Sequence, residues 1–150
     1  MKILWLDDNP STIEYEIENI LEKNPNTQIE VFERIDEFLE FLEENEIDEK
    51  DTIFIIDIML IDEDKIVFKD VDVTIPEDLM AGVHLYKECL KKYYPNVFTI
   101  LYTSRGGEDE EVFDEFKEED KRLNKTLFII GKEEMETKFK EVLLKKGIKL

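Results

Sequence analysis

The sequence predicts one α/β domain, a parallel sheet wound on both faces by helices. Short apolar runs alternate with longer stretches of helical periodicity, which is how a chain of β–α units reads. Four of the five apolar runs lack the alternation of a half-exposed strand, so both of their faces are expected to be buried. With 150 residues and 42% hydrophobic content, the chain is long enough to bury one core and short for two domains.

The strands are expected at 2–7, 29–33, 52–58, 97–103 and 126–131. Ile3-Leu4-Trp5-Leu6, Ile53-Phe54-Ile55-Ile56, Val97-Phe98-Thr99-Ile100-Leu101 and Leu127-Phe128-Ile129-Ile130 form the buried set. Ile29-Glu30-Val31-Phe32-Glu33 alternates, which suits a strand at the sheet edge. After Asn9-Pro10, where Asn can cap and Pro suits a first helical turn, Ile13, Ile17, Ile20 and Leu21 make the first helical stripe. Ile35, Phe38, Leu39 and Leu42 make the second, and Leu79, Val83, Tyr86 and Leu90 the third. Val112, Phe113, Phe116 and Leu123 sketch a helix over 109–123. Met135, Phe139, Val142 and Leu143 make the last stripe, whose helix runs from Glu133-Glu134 to Lys145-Lys146-Gly147. Its charges complement the helix dipole, and Gly147 can stop it. These stripes read as core faces. Residues 61–78 fit neither a short loop nor a helix; Val71, Val73 and Ile75 alternate with polar residues, so an added strand or hairpin arm is expected there.

Composition narrows the function. The 39 acidic and 20 basic residues leave a formal charge of -19, which repels nucleic-acid phosphates and anionic membrane surfaces. No direct binding to nucleic acid and no membrane association are expected. The acids are interleaved with aliphatic and aromatic residues, as in a folded and soluble domain. Cys89 is the single cysteine, so no intrachain disulfide or multi-cysteine metal cluster can form, and a reducing cytoplasm suits the chain. The opening apolar run stops at Asp7-Asp8, short of a signal peptide or membrane span.

In an open parallel sheet, the carboxyl ends of the strands converge on the crevice where ligands bind. Here strand one ends at Asp7-Asp8, strand three at Asp57, strand four at Thr103-Ser104, and strand five just before Lys132. Asp57 stands inside a nearly continuous apolar run, where a carboxylate needs a partner or a cation. Three carboxylates brought together repel unless a divalent ion neutralises them, and oxygen-only ligands favour a hard ion such as Mg²⁺. A carboxylate nucleophile, Mg²⁺, an ammonium and a hydroxyl donor are together the parts that phosphoryl transfer requires.

These residues resemble the receiver domain of bacterial two-component response regulators. The likeness runs through Lys2-Ile3-Leu4-Trp5-Leu6-Asp7-Asp8, Phe54-Ile55-Ile56-Asp57-Ile58-Met59-Leu60, Ala81-Gly82-Val83, Ile100-Leu101-Tyr102-Thr103-Ser104 and Phe128-Ile129-Ile130-Gly131-Lys132. It implies a flavodoxin-like (βα)5 three-layer sandwich with strand order 2-1-3-4-5. It further implies that Asp57 is the phosphoacceptor and that Asp8 is a direct Mg²⁺ ligand, with Asp7 acting nearby through water. Met59 would contribute its backbone carbonyl to the metal. Thr103 would be the hydroxyl that closes on the phosphoryl group, and Lys132 the ammonium that pairs with it. The resemblance also places Met59 and Arg105 at the variable positions that tend to modulate phosphoryl lifetime in such domains. The implied donor is a histidine kinase or phosphotransfer protein. With no output segment after residue 150, the expected signal path is a downstream protein target or a homodimer. Such a domain is a phosphoacceptor that at most catalyses its own phosphoryl transfer and hydrolysis, and is not otherwise an enzyme.

Three features depart from the family. Gly82, which opens helix three, lies much further from Asp57 than usual, so 61–78 reads as an insertion: a lid, a docking arm, a dimerisation strand or a tolerated elaboration. Glu133 follows Lys132 where proline is usual, removing the expected cis peptide. Ile129 replaces the aromatic residue three positions before the lysine, so the familiar threonine–aromatic coupling is missing. These departures keep open an unphosphorylated pseudo-receiver adaptor. A haloacid-dehalogenase-like phosphatase would need a second Asp where Met59 stands. His84 and Cys89 read as helix packing or surface residues, and Arg105-Gly106-Gly107 as a loop after strand four.

Overall fold

The computed structural model describes residues 1–78, 80–103, 126–131 and 137–150. Among the described residues, five strands form one parallel sheet: β1 (Lys2–Leu6), β2 (Gln28–Phe32), β3 (Thr52–Asp57), β6 (Phe98–Tyr102) and β7 (Leu127–Ile130), in the order β2-β1-β3-β6-β7. This is the expected 2-1-3-4-5 arrangement with two further strands counted in between. The extra pair, β4 (Lys65–Phe68) and β5 (Val71–Thr74), is an antiparallel hairpin inside the 61–78 insertion. Lys69, in its two-residue turn, adopts a left-handed φ of 52°.

The unalternated runs are buried because each face of the sheet meets its own helical layer. Leu4, Leu6, Phe54, Ile56, Leu101, Leu127 and Ile129 pack with α2 (Ile35–Glu44) and a composite helix. That helix consists of α3 (Ala81–Leu85), a π-helical turn (Tyr86–Leu90) and α4 (Lys91–Tyr93). On the other face Ile3, Trp5, Ile53, Ile55, Ile100, Tyr102, Phe128 and Ile130 pack with residues of α1 (Glu14–Lys23) and α5 (Lys138–Leu144). The alternating strand β2 is at the edge, with Gln28, Glu30 and Val31 exposed.

Several element ends differ from expectation. Pro10–Thr12 form a 3₁₀ turn ahead of α1, suited to proline's fixed φ. Asn9 caps no backbone N–H with its side chain; its Oδ1 accepts the Ser11 hydroxyl at 2.7 Å. Leu21, placed on the apolar stripe of α1, is 41% exposed, so that stripe consists of Ile13, Ile17 and Ile20. Gly147 stops α5 as expected: at φ 77° it lets its own N–H reach the Leu144 carbonyl and the Ile148 N–H reach that of Leu143. Ile148 is thereby folded back into the core. The expected helix at 109–123, the start of the last helix at 133–134, and Leu79 and Met135 of the stripes lie outside the described residues.

The insertion is built into the body. Ile66, Phe68 and Val71 are buried with α2 and the composite helix, and the Phe68 ring stands 5.4 Å from Tyr93 and 6.3 Å from Tyr94. Glu63, just before β4, accepts the Ile35 N–H at 2.9 Å, satisfying an otherwise open donor at the start of α2. Glu63 is half-buried there; desolvation raises its carboxyl above the usual value and outweighs the lowering by that N–H.

Candidate functional site

The register of the parallel sheet brings the strand ends together. Leu6 pairs with Ile56, Asp57 with Tyr102, and Tyr102 with Ile130. Asp7-Asp8, Asp57, Thr103 and Gly131 therefore close one edge of the sheet. Asp7, Asp8 and Asp57 each offer a carboxylate oxygen, and these oxygens all lie within 4.8 Å of one another. Asp7 and Asp57 are buried and Asp8 is partly exposed, so a cation would have one open approach.

Backbone turns hold the three carboxylates. Asp7 Oδ1 accepts the Asn9 N–H at 2.7 Å, Asp57 Oδ1 the Met59 N–H at 3.0 Å, and Asp8 Oδ2 the Ile61 N–H at 3.0 Å. The last of these ties the first residue of the insertion to the site. At an effective dielectric of about 20, two full carboxylate charges no more than 4.8 Å apart repel by at least ~3 kcal/mol. Donor hydrogen bonds offset part of this, and a divalent ion would remove most of it. The all-oxygen donor set and partial burial fit a hard divalent cation.

Helix α3 approaches Asp57 closely because Gly82 has no side chain. A Cβ there would lie 2.0 Å from the Asp57 carbonyl oxygen, and the Gly82 N–H donates to the Ile58 carbonyl at 3.1 Å. Thr103 is 3% exposed and its N–H donates to the Ile130 carbonyl at 3.3 Å, which places it one residue beyond the register partner of Asp57. Met59 follows Asp57 by two residues and is partly buried against the core. Lys132, Glu133 and Arg105-Gly106-Gly107 lie outside the described residues.

The strand-end reading missed Tyr102, which looks in sequence like one more core aromatic of an apolar strand. Its hydroxyl donates to Asp7 Oδ2 and accepts the Trp5 indole N–H at 2.9 Å. Burial, and next the nearby Asp7 carboxylate, hold the phenol well above its usual pKa, so it stays a hydrogen-bond donor. Of the other residues weighed in sequence, His84 pairs with Asp78 through Nε2 at 2.7 Å on the surface of α3. Cys89 is fully buried, and burial pushes its thiol up to about 12. Ile129 is 4% exposed within the apolar core, without a group to couple to Thr103.

No family profile and no curated protein sequence matches the chain. Solved structures do. RcsB from Salmonella enterica serovar Typhimurium, bound to promoter rprA in the presence of phosphomimetic BeF3-, superposes with a TM-score of 0.63 at 17% identity, over 97% of this chain and 67% of that one. A response regulator receiver protein from Pseudoalteromonas atlantica gives 0.58 at 17% identity, over 97% and 96% of the two chains. A CheY-like receiver domain protein from Methanospirillum hungatei gives 0.51 at 20% identity, over 97% and 95%. The chain has the fold of a response-regulator receiver domain, and the resemblance read from its residues is matched by that fold. Among the described residues, no helix is long and apolar enough to cross a membrane.

Proposed function

We propose that the chain is a two-component response regulator that accepts a phosphoryl group on Asp57 in a Mg²⁺-dependent reaction and signals by binding protein. The observation that carries this reading is the gathering of Asp7, Asp8 and Asp57 at the carboxyl edge of a receiver-type sheet, with Asp57 buried at the end of β3.

Asp8, Asp57 and the Met59 carbonyl are the groups that would hold Mg²⁺, with Asp7 nearby through water. The ion, when bound, supplies positive charge against the carboxylates and the phosphoryl oxygens. An Asp57 carboxylate oxygen attacks the phosphorus of a kinase or phosphotransfer-protein phosphohistidine; the P–N bond breaks and its electron pair leaves with the imidazole. Thr103 donates its hydroxyl to a phosphoryl oxygen, and the Lys132 ammonium pairs with another. The chain acts on its own aspartyl phosphate and turns over no separate substrate. A cytoplasmic location, and output through a downstream protein or a homodimer, complete the proposal. RcsB was solved with promoter DNA; for this chain the charge of -19 argues against direct contact with nucleic acid.

Ile129, sealed in the core where the family carries a coupling aromatic, favours a second reading: an adaptor that is never phosphorylated. Acetyl phosphate decides between them. With Mg²⁺ it should add one labile phosphoryl group, seen by intact mass, that disappears with chelator or in Asp57→Asn. An unmodified wild-type mass favours the adaptor, and unchanged addition to Asp57→Asn refutes the acceptor assignment.

A further inference from the structure

We propose that Tyr102 is a positioning residue of the acidic site: its hydroxyl fixes the Asp7 carboxylate, and Trp5 fixes the hydroxyl. This deepens the Mg²⁺ reading above and rests on it.

The strand order places β3 between β1 and β6, so Tyr102 on β6 reaches across β3 to meet Asp7 and Trp5 at β1. Trp5 and Tyr102 are 0% exposed and Asp7 is 1% exposed. The indole and phenol rings meet edge-on, with centroids 6.1 Å apart at 89°, and the indole also packs on Phe139 of α5 at 5.7 Å. A phenylalanine would fill the same space in the apolar run of β6. The hydroxyl is buried, and its two hydrogen bonds, accepting from Trp5 and donating to Asp7, give it the partners a buried polar group needs. Asp7 has its other oxygen on the Asn9 N–H. With a donor on each oxygen the carboxylate is locked in one orientation while Asp8 and Asp57 provide direct ligands. Outer groups of this kind commonly govern metal affinity by one to two orders of magnitude.

The chain has one tryptophan, so its emission reports on the surroundings of Trp5 and on no second indole. The test is Mg²⁺ binding by calorimetry and by Trp5 emission, for wild type and Tyr102→Phe, with circular dichroism to establish the fold. Phosphorylation by acetyl phosphate is measured in parallel across Mg²⁺ concentrations. Tyr102→Phe should weaken Mg²⁺ about ten-fold and abolish the emission response, and saturating Mg²⁺ should restore its phosphorylation rate. A merely structural hydroxyl would change thermal stability without that split. Trp5→Phe, which removes one of the bonds on the hydroxyl, should lose about three-fold in calorimetric affinity, and it decides the matter if Tyr102→Phe does not fold. Wild-type affinity in the folded variants overturns the role of Tyr102 and leaves the Mg²⁺ reading standing. A wild-type chain that binds no Mg²⁺ overturns both.

Discussion

Replacing Gly82 with alanine tests how tightly α3 is seated against the end of β3. The new Cβ would lie 2.0 Å from the Asp57 carbonyl oxygen, 2.9 Å from its carbonyl carbon and 3.0 Å from the Ile58 Cα. All three are backbone atoms, so no side-chain rotation relieves the clash, and the helix must retreat by roughly 1 Å or more to reach ordinary contact. Overpacking of this sort costs about 1–3 kcal/mol, and a backbone neighbour puts it near the upper end. Alanine's better helix propensity returns up to about 1 kcal/mol. The net loss is then about 2 kcal/mol, or about 4–8 °C in melting temperature for a chain of this length. Urea unfolding followed by circular dichroism should show a lower midpoint at unchanged slope. Equal or greater stability in Gly82→Ala would mean that helix propensity, not the close backbone approach, governs this site. Because the retreating helix no longer braces the backbone at Asp57 and Ile58, phosphorylation by acetyl phosphate should also slow.

The hairpin, the insertion's capping carboxylate and the buried thiol give three further checks. Phe68→Ala should cost about 3–5 kcal/mol, since the ring is fully buried against Tyr93 and Tyr94; a loss below about 1 kcal/mol would make the hairpin a detachable elaboration. Glu63 has a folded-state pKa raised above its usual 4.5, so its contribution to stability is full below the unfolded value and lost as pH rises through the folded one. Glu63→Gln keeps an acceptor for the Ile35 N–H without the charge, and its melting temperature should gain on wild type as pH rises above the usual 4.5. A difference that runs the other way as pH rises contradicts the reading. Cys89, with its thiol pushed up to about 12, should resist thiol reagents at mildly alkaline pH until the chain is unfolded by urea; rapid labelling of the native protein would contradict its burial.

Most of the sheet was legible in sequence because burial on both faces removes polar alternation: Ile53 to Ile56 and Leu127 to Ile130 are apolar throughout for that reason. Alternation likewise marked β2 as an edge and Val71 to Ile75 as an added arm. The carboxylates were legible because Asp7-Asp8 and Asp57 end strands that the topology then aligns. Bonds that join residues distant in sequence were not. The cap from Glu63 to Ile35 and the tie from Ile61 to Asp8 depend on where the insertion folds back, which periodicity cannot state. Tyr102 was hidden for a different reason: a tyrosine in an apolar strand looks like a core aromatic, and only its hydroxyl partners distinguish it. Leu21 was misplaced because four apolar positions fit a helical face while the sheet covers only three of them.

The central claim is that Asp57 carries the phosphoryl group, and borohydride trapping reads it at residue level. An aspartyl phosphate formed with acetyl phosphate and Mg²⁺ is reduced to homoserine, which tandem mass spectrometry locates in the peptide spanning β3. Homoserine at position 57, dependent on Mg²⁺, is the predicted result. Homoserine at another acidic residue, or none at all under conditions where Mg²⁺ binds, would contradict the account.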